Sequence, residues 1–182
     1  MNLLWRTIWH FLFARTTPSV GPFGVVSSSF RVLPSDLDLY GHMNNGRYLS
    51  ISDVARFDLI KRRGVWPEMR RRGWYPVIAS STISYRKSLN AWQKYQIESR
   101  FLGHDARNVF IEQRWVVDGE IYARLVIRSR FLARGGGHAP MDQLAELWGV
   151  EPGSFELPEW LTGWTKDGAL PSAKGVAPNE WD

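Results

Sequence analysis

Asp36, Asp38 and His42 put two carboxylates and an imidazole, with Gly41 between, on the stretch Leu33–Asn44. The stretch ends where a helix is expected to start, at Asn44-Asn45. A turn in that place can aim an acidic side chain at the positive end of a helix, where unpaired backbone N–H groups already point. Charge that develops on a carbonyl oxygen is stabilised by such donors. The chemistry this suggests is hydrolysis of an ester-like bond.

The elements that must hold this turn are readable on both sides of it. Residues Phe23–Val32 read as a first strand, closed by Pro34. Asn45 to about Arg63 reads as a helix, with Asn44 or Asn45 as its cap. Lys61, Arg62 and Arg63 suit the negative pole of the helix, and Gly64 ends it. Tyr48, Ser52, Ala55 and Leu59 share one face, and the two small residues allow close approach to a sheet. Four strands are expected next, Tyr75–Ser88, Gln93–Leu102, Asn108–Val117 and Glu120–Ala133, the last two joined by the tight turn Asp118-Gly119. After Gly135-Gly136-Gly137, Met141–Trp148 reads as a short helix. From Glu151 onward the Pro-, Gly- and Trp-rich chain shows no period and reads as an irregular tail. The expected organisation is an N-terminal segment over 1–15, a linker over 16–22, a domain over 23–135 and a C-terminal extension over 136–182. Strand, long helix and four consecutive antiparallel strands make an α+β layer architecture. One helix cannot cover both edges and both faces of such a sheet, so a homo-oligomer, dimer or tetramer, is expected.

Composition narrows the classes. The 182 residues are 44% hydrophobic and 23% charged, as in one globular domain with tails. With no cysteine, disulfides, thiolate metal sites and cysteine nucleophiles are excluded. The formal charge of +5 comes mostly from arginines scattered along the chain, without a nucleic-acid motif, so nucleic acid is not an expected partner. A solvated basic surface, a phosphate-bearing ligand or an anionic membrane surface remain as readings of that charge. Met1–Arg15 (MNLLWRTIWHFLFAR) is too short to span a bilayer, which takes ~20 apolar residues. Its amphipathic pattern suits a helix lying on a membrane or docked on a protein surface. The expected location is cytoplasmic, with peripheral membrane contact through residues 1–15 as the variant.

Asp36-Leu37-Asp38-Leu39-Tyr40-Gly41-His42-Met43-Asn44-Asn45-Gly46-Arg47-Tyr48 resembles the signature of hotdog-fold acyl-CoA thioesterases of the 4-hydroxybenzoyl-CoA thioesterase type. Val32–Asp38, Leu102-Gly103-His104-Asp105 and Glu112-Gln113-Arg114 resemble in particular the branch of thioesterase superfamily member six. The likeness runs from about Phe30 to Arg134. It implies a hotdog fold, a five-stranded antiparallel sheet wrapped around one long helix, with active sites at a dimer interface. It implies hydrolysis of an acyl-CoA or acyl-carrier thioester, with water as second substrate and no cofactor or metal. In that family the acid matching Asp38 is nucleophile or general base, and amides near Asn45 polarise the thioester carbonyl.

Each residue has a plainer reading as well. Asp38 can cap a turn, and Asp36 can hold it through backbone amides. His42 is a tempting general base, but packing beneath the turn on a carbonyl is favoured. Gly41 allows positive φ or close approach of substrate. Asn44 and Asn45 suit capping, and a side-chain amide of either can reach water or the thioester oxygen. Tyr48 fits the core, with its hydroxyl in reach of an acyl pocket. Arg86 and Lys87, with Arg128, Arg130 and Arg134, are candidates for the phosphates of coenzyme A. A metal site from Asp38, His42, His104 and His138 has no supporting spacing. The alternatives are a non-catalytic protein that binds acyl groups or a membrane surface and, more weakly, a hotdog hydratase or dehydratase.

Overall fold

The computed structural model describes residues 21–151, 154–171 and 175–179. The N-terminal segment 1–15 and most of the 16–22 linker lie outside these residues. Five strands form one antiparallel sheet: β1 (Val26–Arg31), β2 (Trp74–Tyr85), β3 (Lys94–His104), β4 (Val109–Val117) and β5 (Glu120–Ala133). Their spatial order is β1-β3-β4-β5-β2. Helix α1 (Asn45–Arg62) connects β1 to β2, the two opposite edges of the sheet. A connection of that span has to cross a sheet face, and α1 lies across the inner one.

The helix is bounded as its end residues require. The Asn44 side chain accepts from the Gly46 N–H at 2.9 Å. Lys61 and Arg62 occupy the last turn, and Gly64 leaves it at φ +69°. Tyr48, Ile51, Ser52, Ala55 and Leu59 are buried against the sheet. Small Ser52 faces Gln113, whose Nε2 donates to the Ser52 carbonyl at 3.2 Å and to Ser99 Oγ at 2.9 Å. One apolar cluster gathers Tyr48, Ile51, Ala55, Trp115 and Leu125 under the first half of α1. A second gathers Leu59, Met69, Trp74, Phe101 and Trp148 under its end.

β1 is shorter than Phe23–Val32, because Phe23 packs its ring 5.6 Å from Phe101 instead of pairing with a strand. Asp118 at φ +49° and Gly119 at φ +81° make the expected two-residue turn, the mirror-image type that matches strand twist. Among the described residues the further α-helices are α2 (Trp66–Arg71), α3 (Met141–Leu147) and α4 (Glu159–Asp167), beside a 3-10 turn at Pro34–Asp36. α2 is too short for its period to show.

α4 replaces part of the expected irregular tail. Pro158 precedes it, Gly168 ends it, and Leu161 is buried against Phe110 and Val126 on the outer sheet face. The extension reaches that face across Gly103, at φ +146°. A Cβ on Gly103 would stand 2.3 Å from Phe155 Cδ2. Among the described residues no helix is long and apolar enough to cross a membrane.

Candidate active site

The motif loop is a small hairpin. Leu37 bridges Met43, the Asp38 N–H donates to the His42 carbonyl at 2.8 Å, and the Gly41 N–H donates to the Asp38 carbonyl at 3.1 Å. Leu39, Tyr40 and Gly41 form its three-residue tip, with Gly41 at φ +78°, the left-handed position that such a tip requires. The hairpin is pinned to the connection between β2 and β3. The Met43 N–H donates to the Leu89 carbonyl at 2.8 Å, and His42 bridges Asn90.

The two carboxylates have different surroundings. Asp36 is buried, accepts the Leu33 N–H at 2.9 Å, and has the Arg47 guanidinium 4.0 Å away. Its carbonyl accepts the Asn44 N–H at 2.8 Å, so Asp36 ties the turn to the helix start. Asp38 is half-buried. Its Oδ1 accepts the Tyr40 N–H at 2.9 Å and the His42 N–H at 3.3 Å. Among the described residues its second oxygen has no hydrogen-bond partner. Asp38 therefore caps its turn with one oxygen and keeps the other available.

At the start of α1 the Gly46 N–H goes to the Asn44 side chain, and the Arg47 N–H goes to the Asn44 carbonyl at 2.8 Å. The N–H of Asn45 has no partner among the described residues. The Asn45 carbonyl accepts from the Tyr85 hydroxyl at 3.3 Å. Asn44 is thus the cap, and Asn45 presents the free amide.

Other candidates sit differently from their sequence reading. His42 is exposed rather than packed beneath the turn. Tyr48 is only 2% exposed, with its ring edge-on to Tyr85 at 5.0 Å and 5.3 Å from Trp115, so it belongs to the core. Burial raises its phenol pKa, against a hydrogen bond with the Leu89 backbone that lowers it. Arg86 and Lys87 converge on Glu120, at 2.7 and 2.6 Å. Lys87 and Arg86 hold that carboxyl below its ordinary range. One acid already neutralises half of their charge. His104 stands 4.9 Å from the Phe155 ring, with Nδ1 3.1 Å from the Asp105 carbonyl.

A groove that the sequence did not reveal runs beside α1. Two cavities of about 240 Å³ each share Asp53, Arg56 and Ile78. One begins at Leu49, roughly one helical turn beyond Asn45. The other ends on Phe57, Ile60 and Phe131. Arg56 pairs with Asp53 and donates to Ser52 Oγ at 2.9 Å. Burial lowers its pKa to about 10. Phe57 and Ile78 on its walls are apolar side chains left 38% and 46% exposed, which only the coordinates reveal. Ile78 lies on β2, an edge strand unpaired on its outer side among the described residues, with exposed Tyr75 and Tyr85.

The family model of the thioesterase-like superfamily matches residues 32–165. The protein THEM6 of Xenopus laevis is 36% identical over 135 residues, 74% of this chain and 64% of that protein. Against the THEM6 proteins of Danio rerio and Drosophila melanogaster the match covers 52% and 50% of their length, so the chain spans about half to two-thirds of these relatives. Among solved structures, the probable thioesterase YbaW of Escherichia coli superposes with a TM-score of 0.64 over 69% of this chain and 98% of that one, at 21% identity. SAV2348 of Staphylococcus aureus, solved in complex with CoA, superposes at 0.58 over 80% of this chain and 95% of that one, at 14% identity. A hotdog sheet around α1, a motif hairpin at the helix start and a family match across both agree: this chain belongs to the thioesterase-like superfamily.

Proposed function

We propose that this protein hydrolyses acyl thioesters, with coenzyme A as the leading thiol carrier, at the Asp38 hairpin. What supports the reading is that the motif hairpin and the helix start it leads into each keep a group without a partner among the described residues: the second carboxylate oxygen of Asp38 and the N–H of Asn45. The amide would accept the negative charge that develops on the thioester oxygen. The Asp38 oxygen would either take a proton from water or attack the carbonyl. By the first route, water adds to the carbonyl and the thiolate leaves. By the second, an acyl–aspartyl anhydride forms with loss of thiolate, and water then opens it. Both consume one water and give free acid and thiol. Gly41 and Asn44 would border the thioester, and the groove along α1 would take the acyl chain on Phe57, Ile60 and Ile78. A second copy laid against the β2 edge would close the open side of that groove, giving a homodimer. The exposed Arg86 and Lys87, sharing one acid, would meet the phosphates of coenzyme A.

One observation favours a second reading, in which the chain binds acyl groups without cleaving them: Asp38 Oδ1 has a full structural role in its turn. Asp38→Asn separates the two. Asparagine keeps the Oδ1 acceptor, so the turn should persist, with stability within about 1 kcal/mol of wild type. Release of free thiol from a panel of acyl-CoAs should fall about 10²–10⁴-fold. Thiol release that survives the substitution removes Asp38 from the reaction. No release from any acyl-CoA by the wild type, with retained acyl-CoA binding, selects the second reading.

A further inference from the structure

We propose that the outer face of the sheet holds a second site, which binds a phosphate monoester in the groove between Arg124, the hydroxyls of Thr82 and Ser84 and the Trp160 ring of α4, with Arg114 adding its charge from the neighbouring strand. The proposal does not depend on thioester hydrolysis. Alternation along the strands sends Arg100, Arg114 and Arg124 to this face, with Arg128 and Arg130 further along β5. The acids on the same strand positions are Glu98 and Glu112.

Glu112, with its side chain 1% exposed, is fully engaged. Arg100 grips one oxygen through Nε at 2.8 Å and Nη2 at 2.5 Å. Arg114 and Arg124 each reach the other oxygen through Nε alone, at 2.9 and 2.7 Å. Their terminal Nη groups have no partners among the described residues, and the two side chains are 44% and 42% exposed. Arg114 and Arg124 also stand directly opposite each other across β4 and β5. Like charges in that position repel. One carboxylate offsets one of the three guanidinium charges, and Glu98, opposite Arg114, makes no ion pair among the described residues. A doubly charged tetrahedral anion would supply what is missing, because guanidinium forks match phosphate oxygens.

The surroundings form a place for it. A groove of about 320 Å³ is lined by Arg124, Val126, the hydroxyl residues Thr82 and Ser84, and Trp160. The Arg124 guanidinium carbon lies 5.6 Å from the Trp160 ring centroid. Arg128, 4% exposed, donates to the Thr165 carbonyl at 2.7 Å, and its Nε is buried without a partner among the described residues. Fixed positive charge, two hydroxyls and an aromatic wall suit a phosphate carried on an organic group. That group is either a soluble metabolite or a lipid headgroup.

The test titrates the full chain at low salt with inorganic phosphate and phenyl phosphate, followed by calorimetry and tryptophan fluorescence. Flotation with phosphatidylcholine vesicles, with and without phosphatidic acid, runs beside it. Two variants are compared. Arg124→Gln removes a guanidinium. Ser84→Glu, at an exposed position, keeps every arginine and offers Arg124 an internal carboxylate, so a loss there does not come from misfolding. The expected result is saturable binding weakened about tenfold or more in both variants, the worth of one charge-assisted hydrogen bond. Binding of phenyl phosphate but not of vesicles marks a soluble ligand, and the reverse marks a headgroup. The proposal is overturned if neither probe binds, or if Ser84→Glu binds as tightly as wild type.

Discussion

Gly103→Ala should detach the C-terminal extension from the sheet, and its cost can be worked from the coordinates. The new Cβ would lie 2.3 and 2.6 Å from Phe155 Cδ2 and Cε2 and 2.8 Å from Leu157 Cδ2. No rotation of one side chain relieves all three contacts. Phe155 is itself set between Phe23 at 6.0 Å, Phe101 at 6.2 Å and His104 at 4.9 Å. Alanine at φ +146° adds about 1–3 kcal/mol of backbone strain. Forcing a methyl group into packed surroundings adds about 1–3 kcal/mol. The expected loss is therefore about 2–6 kcal/mol in urea denaturation, with faster proteolysis after Val150. A double-mutant cycle divides the two parts. With Phe155→Ala in place the two closest contacts are gone and only that with Leu157 Cδ2 remains, so Gly103→Ala should cost about its backbone share plus a smaller steric part, leaving a coupling of about 1–2 kcal/mol. Equal losses in both backgrounds would refute the steric argument, as would a Gly103→Ala protein of wild-type stability.

Two further outcomes follow from charge and capping. Burial pushes the Glu112 carboxyl up, but hydrogen bonds from Arg100 and Arg114 prevail and hold it below its ordinary value. A depressed carboxyl contributes fully above the unfolded-state pKa and loses its contribution as pH falls through the folded one. Wild type should thus lose stability as pH drops below about 5, and Glu112→Gln should flatten that window in pH-dependent melts. At pH 7 the same substitution should cost about 1–3 kcal/mol, discounted for the half-exposed arginines. Asn44→Ala removes the acceptor for the Gly46 N–H and should cost about 1 kcal/mol in denaturant unfolding.

What the sequence showed and what it hid divide along the range of the interactions. The α1 start at Asn44, its stop at Gly64 and the Asp118-Gly119 turn are local, so residue type alone marked them. β5 ran from Glu120 to Ala133 as its pattern said. Element order was legible in the same way and gave an α+β layer, whereas the hotdog arrangement of the sheet around α1 came from the resemblance of the Asp36–Tyr48 motif to a known family. α4 was missed because it buries one main anchor, Leu161, against a face whose apolar spot, Phe110 and Val126, is made by two different strands. Tyr48 was placed on the correct face of α1, yet only the coordinates put Tyr85 and Trp115 around it.

The same division governs function. The hairpin of Asp38 is contiguous, so its residue types were visible as a unit, whereas the groove joins Asp53 and Arg56 on α1 to Ile78 on β2. Likewise, Glu120 is far in sequence from Arg86 and Lys87, and its hold on them appears only in space. The arginines make the sharpest case. In the chain Arg100, Arg114 and Arg124 look dispersed, and dispersed cations read as a solvated surface. Sheet register sets Arg100 opposite Glu112 and Arg114 opposite Arg124. A scattered excess of positive charge thereby becomes a local one around a single buried carboxylate. Part of the positive charge of this protein is therefore gathered on one sheet face, and a partner for it should be sought there.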